Sequence, residues 1–446
     1  MAVQIGRRDF VKSCAAMGAV GALGAPGSAF CGDGSVYPGW KPGELELHFI
    51  YTGCGENAFY RLPDGTSILN DVGEAYRPKD VSQTPLLPSS ERLGGEWVSR
   101  YIQRIYPEKT IDYLLFSHWH DDHIGHAGFG RESTPDMDYR HRTTADGRKI
   151  DGFLCVAEDF SFRNYFDHQY PERGTYNSQG SCMDIVTPWL EDQKKRGLAV
   201  EPFRVGALDQ IALLRDPAKY RGLFSIRNVC ANGRLWDGRD GFRDFAAETV
   251  KATGEDCLPQ NMLSMGFVMQ YGKFRFWTGG DIQPSFMNKG FRTKDGEVNF
   301  EAEVGKRVGP VTVCKTNHHG CDDAMSKEFI KAVRARVYVS CVWSHWHVRK
   351  ATMERMASRG LHPDFDPVII PNFMPKNRAA EFADMPFMRN VPPETRDGVH
   401  VVVKVAPGGE SYRIYLIDAR DESMRVRAVV GWHALELAET ESAKLS

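Results

Sequence analysis

The stretch Ile111-Asp112-Tyr113-Leu114-Leu115-Phe116-Ser117-His118-Trp119-His120-Asp121-Asp122-His123 sets a short apolar run directly before four potential metal ligands within six residues. Ile111 to Phe116 has the length and bounded apolar character of a buried strand. The loop after it reads His-x-His-x-Asp-His. Such a loop, leaving a strand end, can turn His118 and His120 towards one cation while Asp122 and His123 face a second. A solvated polar loop is the plain alternative. It fits poorly, because the chain has only 14 histidines in 446 residues and three of them fall here.

Two later segments carry matching donors. Phe276-Trp277-Thr278-Gly279-Gly280-Asp281 puts a carboxylate at a strand end, after glycines that permit close backbone approach. Thr316-Asn317-His318-His319-Gly320 puts adjacent histidines after the strand expected at Val311 to Lys315. Singly, Asp281 reads as a turn residue, and His318 or His319 as a hydrogen-bonded core histidine. Together, and in this order, the three segments make one donor set. Two divalent ions about 3.5 to 4 Å apart can share a water, lower its pKa and attack an ester without a side-chain nucleophile. With nitrogen and oxygen donors only, zinc suits the site, and manganese and iron remain open.

On these residues the chain resembles the metallo-β-lactamase fold superfamily. The branch it resembles most contains the metallo-hydrolase domain of competence DNA-uptake proteins and the choline-binding phosphorylcholine esterases. His48-Phe49-Ile50-Tyr51-Thr52-Gly53-Cys54-Gly55-Glu56 is similar to the entry motif H-F-I-D-V-G-Q-G-D. Pro63-Asp64-Gly65 through Ile68-Leu69-Asn70-Asp71-Val72-Gly73 is similar to the second strand, and Asn261-Met262-Leu263-Ser264 to an N-x-x-S before the paired strands leading to Asp281. The likeness runs from about Glu44 to about Asp418. It implies an α/β, four-layer αββα sandwich with loop and helix insertions, and a metal-dependent hydrolase. It further implies His118 and His120 on one ion, Asp122, His123 and His319 on the other, and Asp281 bridging. Asp122 would also orient the attacking hydroxide, and His318 would face the substrate and act on the leaving group. The remaining histidine of the first ion has no clear counterpart; His168, in Phe166-Asp167-His168-Gln169, is the candidate, ahead of His126 and His141. His347 resembles a late histidine of the same branch, with packing beside Trp343 and Trp346 as the plainer use. Cys54 and Cys321 stand where the branch has glutamine and serine, and are expected at the pocket rim.

Outside that region, Gly6-Arg7-Arg8-Asp9-Phe10-Val11-Lys12 and the uncharged Ser13 to Gly32 resemble a twin-arginine export signal, cut after Ala29. Glycines at 18, 21, 24 and 27 make the stretch a poor membrane span, so none is expected in the mature chain. Export through the twin-arginine machinery would carry the protein already folded and metal-loaded to the periplasm or beyond. The net charge of −2 becomes −4 once Arg7, Arg8, Lys12 and Asp9 are gone, which leaves no global field for nucleic acid. The ten cysteines form no C-x-x-C pair, so their spacing does not point to a four-thiolate zinc site. The expected order is leader 1–29, linker 30–43, hydrolase domain 44–420 with an insertion at about 127–260, then a C-terminal strand and tail at 421–446. The leading expectation is hydrolysis of a phosphodiester or other ester, with a lactone or cyclic amide second. A non-catalytic metal-containing DNA-handling module is the alternative outside enzymes.

Overall fold

The computed structural model describes residues 29–31, 34–76, 83–126, 140–172, 183–286 and 289–435. The expected leader, apart from Ala29, and the tail beyond residue 435 lie outside them. Alternation along the strands decides the layers. Val399, Val401, Val403 and Val405 point into one core, while Val402 between them points into another. Phe267, Met269 and Tyr271 likewise face the first core, and Val268 faces a third. A period of two buries opposite faces of one strand against different partners.

The first sheet runs in the order 29–31, 426–434, 411–418, 399–405, 45–49, 57–61, 67–72, 110–116, 161–167 and 199–200. The second runs 242–244, 234–236, 224–231, 266–271, 274–278, 313–315, 337–340 and 368–371. Their inner faces share one core that joins Leu47, Tyr60 and Val401 to Phe267, Phe276 and Val339. The outer face of the first sheet is covered by the helices Gly94–Ile105, Gly152–Asp159 and Met183–Lys195, and that of the second by Phe245–Thr253, Phe300–Val308, Lys327–Val333 and Lys350–Met356. This is the four-layer αββα arrangement that the resemblance implied.

The strand read at Ile111 to Phe116 forms at Thr110–Phe116, and the one expected at Val311 to Lys315 forms at Val313–Lys315. The helix Gly94–Ile105 buries Val98, Tyr101 and Ile102. Its opening amides at Gly94 and Gly95 donate to the buried Glu74 carboxylate at 2.9 and 2.8 Å, which satisfies donors that a helix start leaves open. Two of the expected segments carry paired strands. Within 127–260, expected as an insertion, Ser161–Asp167 pairs with Thr110–Phe116 in the first sheet, and Phe224–Ala231 pairs with Gly266–Tyr271 in the second. The period-two signal there is diluted by exposed polar positions. Within the expected linker, Tyr37 is buried with its hydroxyl on Glu46, and Ala29–Cys31 pairs with Val426–Ala434.

Three parallel strands of the first sheet (67–72, 110–116, 161–167) and four of the second (274–278, 313–315, 337–340, 368–371) release their loops at their C-terminal ends. In open α/β sheets that edge is where ligands bind. Among the described residues no helix is long and apolar enough to cross a membrane.

Candidate metal centre

The His-x-His-x-Asp-His loop rests on a floor of glycine. Glu56 N donates to Asp122 O at 2.8 Å, and Glu74 N to Asp121 O at 2.9 Å. A Cβ at Gly73 would lie 2.0 Å from Asp122 O, and one at Gly55 2.3 Å from it. Backbone atoms cannot yield to such an overlap cheaply, so only glycine lets the loop sit this low. Opposite it, His318 and His319 occupy consecutive left-handed conformations (φ 42° and 52°). Each costs about 1–3 kcal/mol for a non-glycine residue and persists only where the surroundings impose it. Here the turn is tied by His318 N to Gly280 O at 3.3 Å and Arg349 N to Gly320 O at 3.1 Å.

The structure brings the two sheet edges together at one cluster. His123 Nε2 lies 3.2 Å from Asp281 Oδ2 and 3.8 Å from Asp122 Oδ2. His319 Nε2 lies 3.0 Å from Asp122 Oδ2 and 3.3 Å from Asp281 Oδ2. Donors on a tetrahedral ion at about 2.0–2.1 Å stand roughly 3.3 Å apart, so these four atoms have the spacing of one coordination shell. His118 Nε2 is 4.0 Å from the same Asp281 Oδ2 and 3.1 Å from His120 Nδ1, and its ring lies 4.1 Å from that of His123. His123 Nε2 and Asp281 Oδ1 are fully buried, yet neither has a well-aligned hydrogen bond among the described residues. A buried polar atom left in that condition is costly, and a cation resolves it. The residues present therefore fit divalent ions.

Electrostatics prepare the donors. Burial, reinforced by the neighbouring imidazoles of His123 and His120, holds His118 well below the usual histidine range, so it is neutral and has a free lone pair. Burial also depresses His319, but Asp281 and Asp122 outweigh it and raise it to about 9. His123 is raised for the same reason. Both acids sit well below the usual carboxylate range because the facing imidazoles overcome the effect of burial. A metal ion must displace the protons that these groups share.

Support comes from residues to which the sequence reading gave no role. Asp71 accepts from Ser117 N at 2.8 Å and lies 3.0 Å from His123 Nδ1, fixing that ring from behind. Lys315 is fully buried; its Nζ lies 2.6 Å from Glu56 Oε2 and 3.8 Å from Asp281 Oδ1, and these acids raise it despite its burial. The available signal was a charge at the end of an otherwise apolar strand, in Ile68-Leu69-Asn70-Asp71 and Val311-Thr312-Val313-Cys314-Lys315.

The remaining candidates separate clearly. His318 is partly exposed, with Nδ1 2.7 Å from Asp323 Oδ1 and Nε2 3.9 Å from Asp281 Oδ2. His168 leaves the strand beside the one that delivers His118, in the register Phe116 to Asp167, and its ring packs edge-on to Trp119 at 4.6 Å. His347 stacks on His319 at 4.8 Å and 16°, so its packing role and its place at the site coincide. His126 is buried near Asp151, and His141 is exposed. Cys321 is partly exposed close to His318, as a rim position would be. Cys54 is not at a rim: it is buried beside Gly94 and Glu74.

No family profile and no curated protein matches the chain. Solved structures similar to it include a Parabacteroides distasonis protein provisionally named a metal-dependent hydrolase, at 13% identity and TM-score 0.31 over 77% of this chain and 98% of that one. CmlA, a diiron β-hydroxylase from Streptomyces venezuelae, gives 12% identity and TM-score 0.31 over 67% of this chain and 45% of its own. Zinc-bound PqqB from Methylobacterium extorquens gives 9% and 0.29 over 66% and 88%. At this level of likeness, function has to be argued from the site's own geometry.

Proposed function

We propose that the protein is an exported, dinuclear metal-dependent hydrolase acting on a phosphodiester or another ester. The observation that carries this is the meeting of His123 Nε2, His319 Nε2, Asp122 Oδ2 and Asp281 Oδ2 at 3.0 to 3.8 Å, with His118 4.0 Å from Asp281 Oδ2 and His120 next to His118. His118, His120 and His168 would hold one ion, Asp122, His123 and His319 the other, with Asp281 between them. When bound, divalent ions of this kind supply Lewis acidity and a nucleophile from water at neutral pH.

The chain's own groups do the rest. Asp122, fixed through its backbone carbonyl, presents Oδ2 towards the shared space and orients the attacking group. His318 has Nδ1 held by Asp323 at 2.7 Å and Nε2 beside the Asn261 amide at 3.2 Å, on the Asp281 side; a substrate that takes the place of Asn261 would receive the Nε2 proton at its departing oxygen. Two cations match the doubly charged transition state of a phosphodiester, which favours it over a lactone. Export is supported by Arg7-Arg8 and the uncharged stretch behind them.

The test is hydrolysis of bis(p-nitrophenyl) phosphate beside a lactone panel, with and without chelator. Turnover of the diester that chelation abolishes and metal restores is expected. Metal-loaded protein that ignores diesters and opens lactones would transfer the assignment to that class.

A further inference from the structure

We propose that His318, Cys321 and Asp323 form a separate site for a thiophilic divalent cation such as Zn²⁺ or Cd²⁺, on the partly exposed shoulder of the metal centre. One donor atom from each of the three residues lies within 4.8 Å of the other two. They supply nitrogen, sulfur and carboxylate oxygen, a set that selects softer cations than the sulfur-free cluster below it. The three side chains are neither exposed nor sealed, with His318 18% and Asp323 33% accessible, so an ion can enter from solvent.

The turn that carries them is built before any ion arrives. Cys321 N donates to His318 O at 2.8 Å, and Thr352 Oγ1 donates to Cys321 O at 2.9 Å. Arg355 clamps the next stretch through the carbonyls of Asp322, Ala324 and Met325 at 2.9 to 3.2 Å. Prior ordering removes much of the entropic cost of gathering ligands. An entering cation replaces the proton shared between His318 Nδ1 and Asp323 Oδ1 across 2.7 Å.

The experiment titrates zinc-loaded full-length protein with cadmium and follows the ultraviolet charge-transfer absorption of a cadmium–thiolate bond. Cadmium that exchanges into the centre below is silent, because that cluster holds no sulfur. Wild type should develop the band and Cys257→Ser should keep it. Cys321→Ser should lose it, and Asp323→Asn should weaken binding by at least the roughly tenfold that loss of a supporting carboxylate costs a metal site. No band at saturating cadmium, or an unchanged band in Cys321→Ser, overturns the site. Diester turnover of the zinc-loaded protein, measured before cadmium is added, separates the two readings. A band without turnover in wild type removes the hydrolase assignment and keeps the cation site. Turnover without a band does the reverse.

Discussion

Asp281 and Asp71 act at different distances from the ions, and their substitution should differ in degree. Asp281 faces His123, His319 and His118 within 4.0 Å, so Asp281→Asn removes the charge that both halves of the centre share. Metal content and diester turnover should fall together, by more than the roughly 10–100-fold that loss of an outer partner costs. Asp71→Asn leaves every donor in place but frees the His123 ring, and a loss inside that 10–100-fold range is expected. Equal effects in turnover assays and metal titrations of the two variants would contradict this division. The raised imidazoles make a second prediction. With His319 raised to about 9 and His123 raised well above the usual histidine range by the facing carboxylates, metal-free protein carries protons there at neutral pH, so zinc binding must release them. Calorimetry in buffers of different ionisation enthalpy should show that release, and its absence would mean that these rings are not ligands.

Among the elements, the loop at Asp121–His123 depends on the strand ends beneath it. Gly73→Ala places a methyl group 2.0 Å from Asp122 O, so the loop must rise. We expect about 1–3 kcal/mol lost in urea unfolding, with reduced metal content, and a variant that keeps both would show that the floor is not needed. The sequence made this centre legible where donors cluster locally, as in His118 to His123, or sit beside glycine, as in Asp281 and His319. Strand periodicity likewise exposed both β-rich halves. Asp71, Glu56 and Lys315 escaped notice because their importance comes from packing across sheets, which no spacing along one chain encodes. The strand Ser161–Asp167 escaped for a related reason: exposed Ser161 and Arg163 alternate with buried Phe162, but the pattern then breaks into a buried run that ends in the charged Asp167. His168, the candidate read from the sequence, follows Asp167 at the end of that strand and packs on Trp119, the neighbour of His118.

Across the whole molecule, acid should act through buried imidazoles as well as through the centre. Burial lowers His400 and His126 to about 3, against about 6.5 in an unfolded chain. Below pH 6.5 the unfolded state therefore binds protons that the folded state refuses. Stability falls as pH drops from about 6.5 towards 3, by up to roughly 1.4 kcal/mol per pH unit for each ring. Urea midpoints should show this slope, and His400→Phe should reduce it by about one proton; an unchanged slope would contradict the burial argument. The central claim is that loops from two sheets build a cage for a pair of cations, and elemental analysis of the folded protein tests it most directly. Two divalent ions per chain in wild type, with clear loss in Asp281→Asn, is the expected result. One ion or none, with Asp281→Asn indistinguishable from wild type, would contradict it.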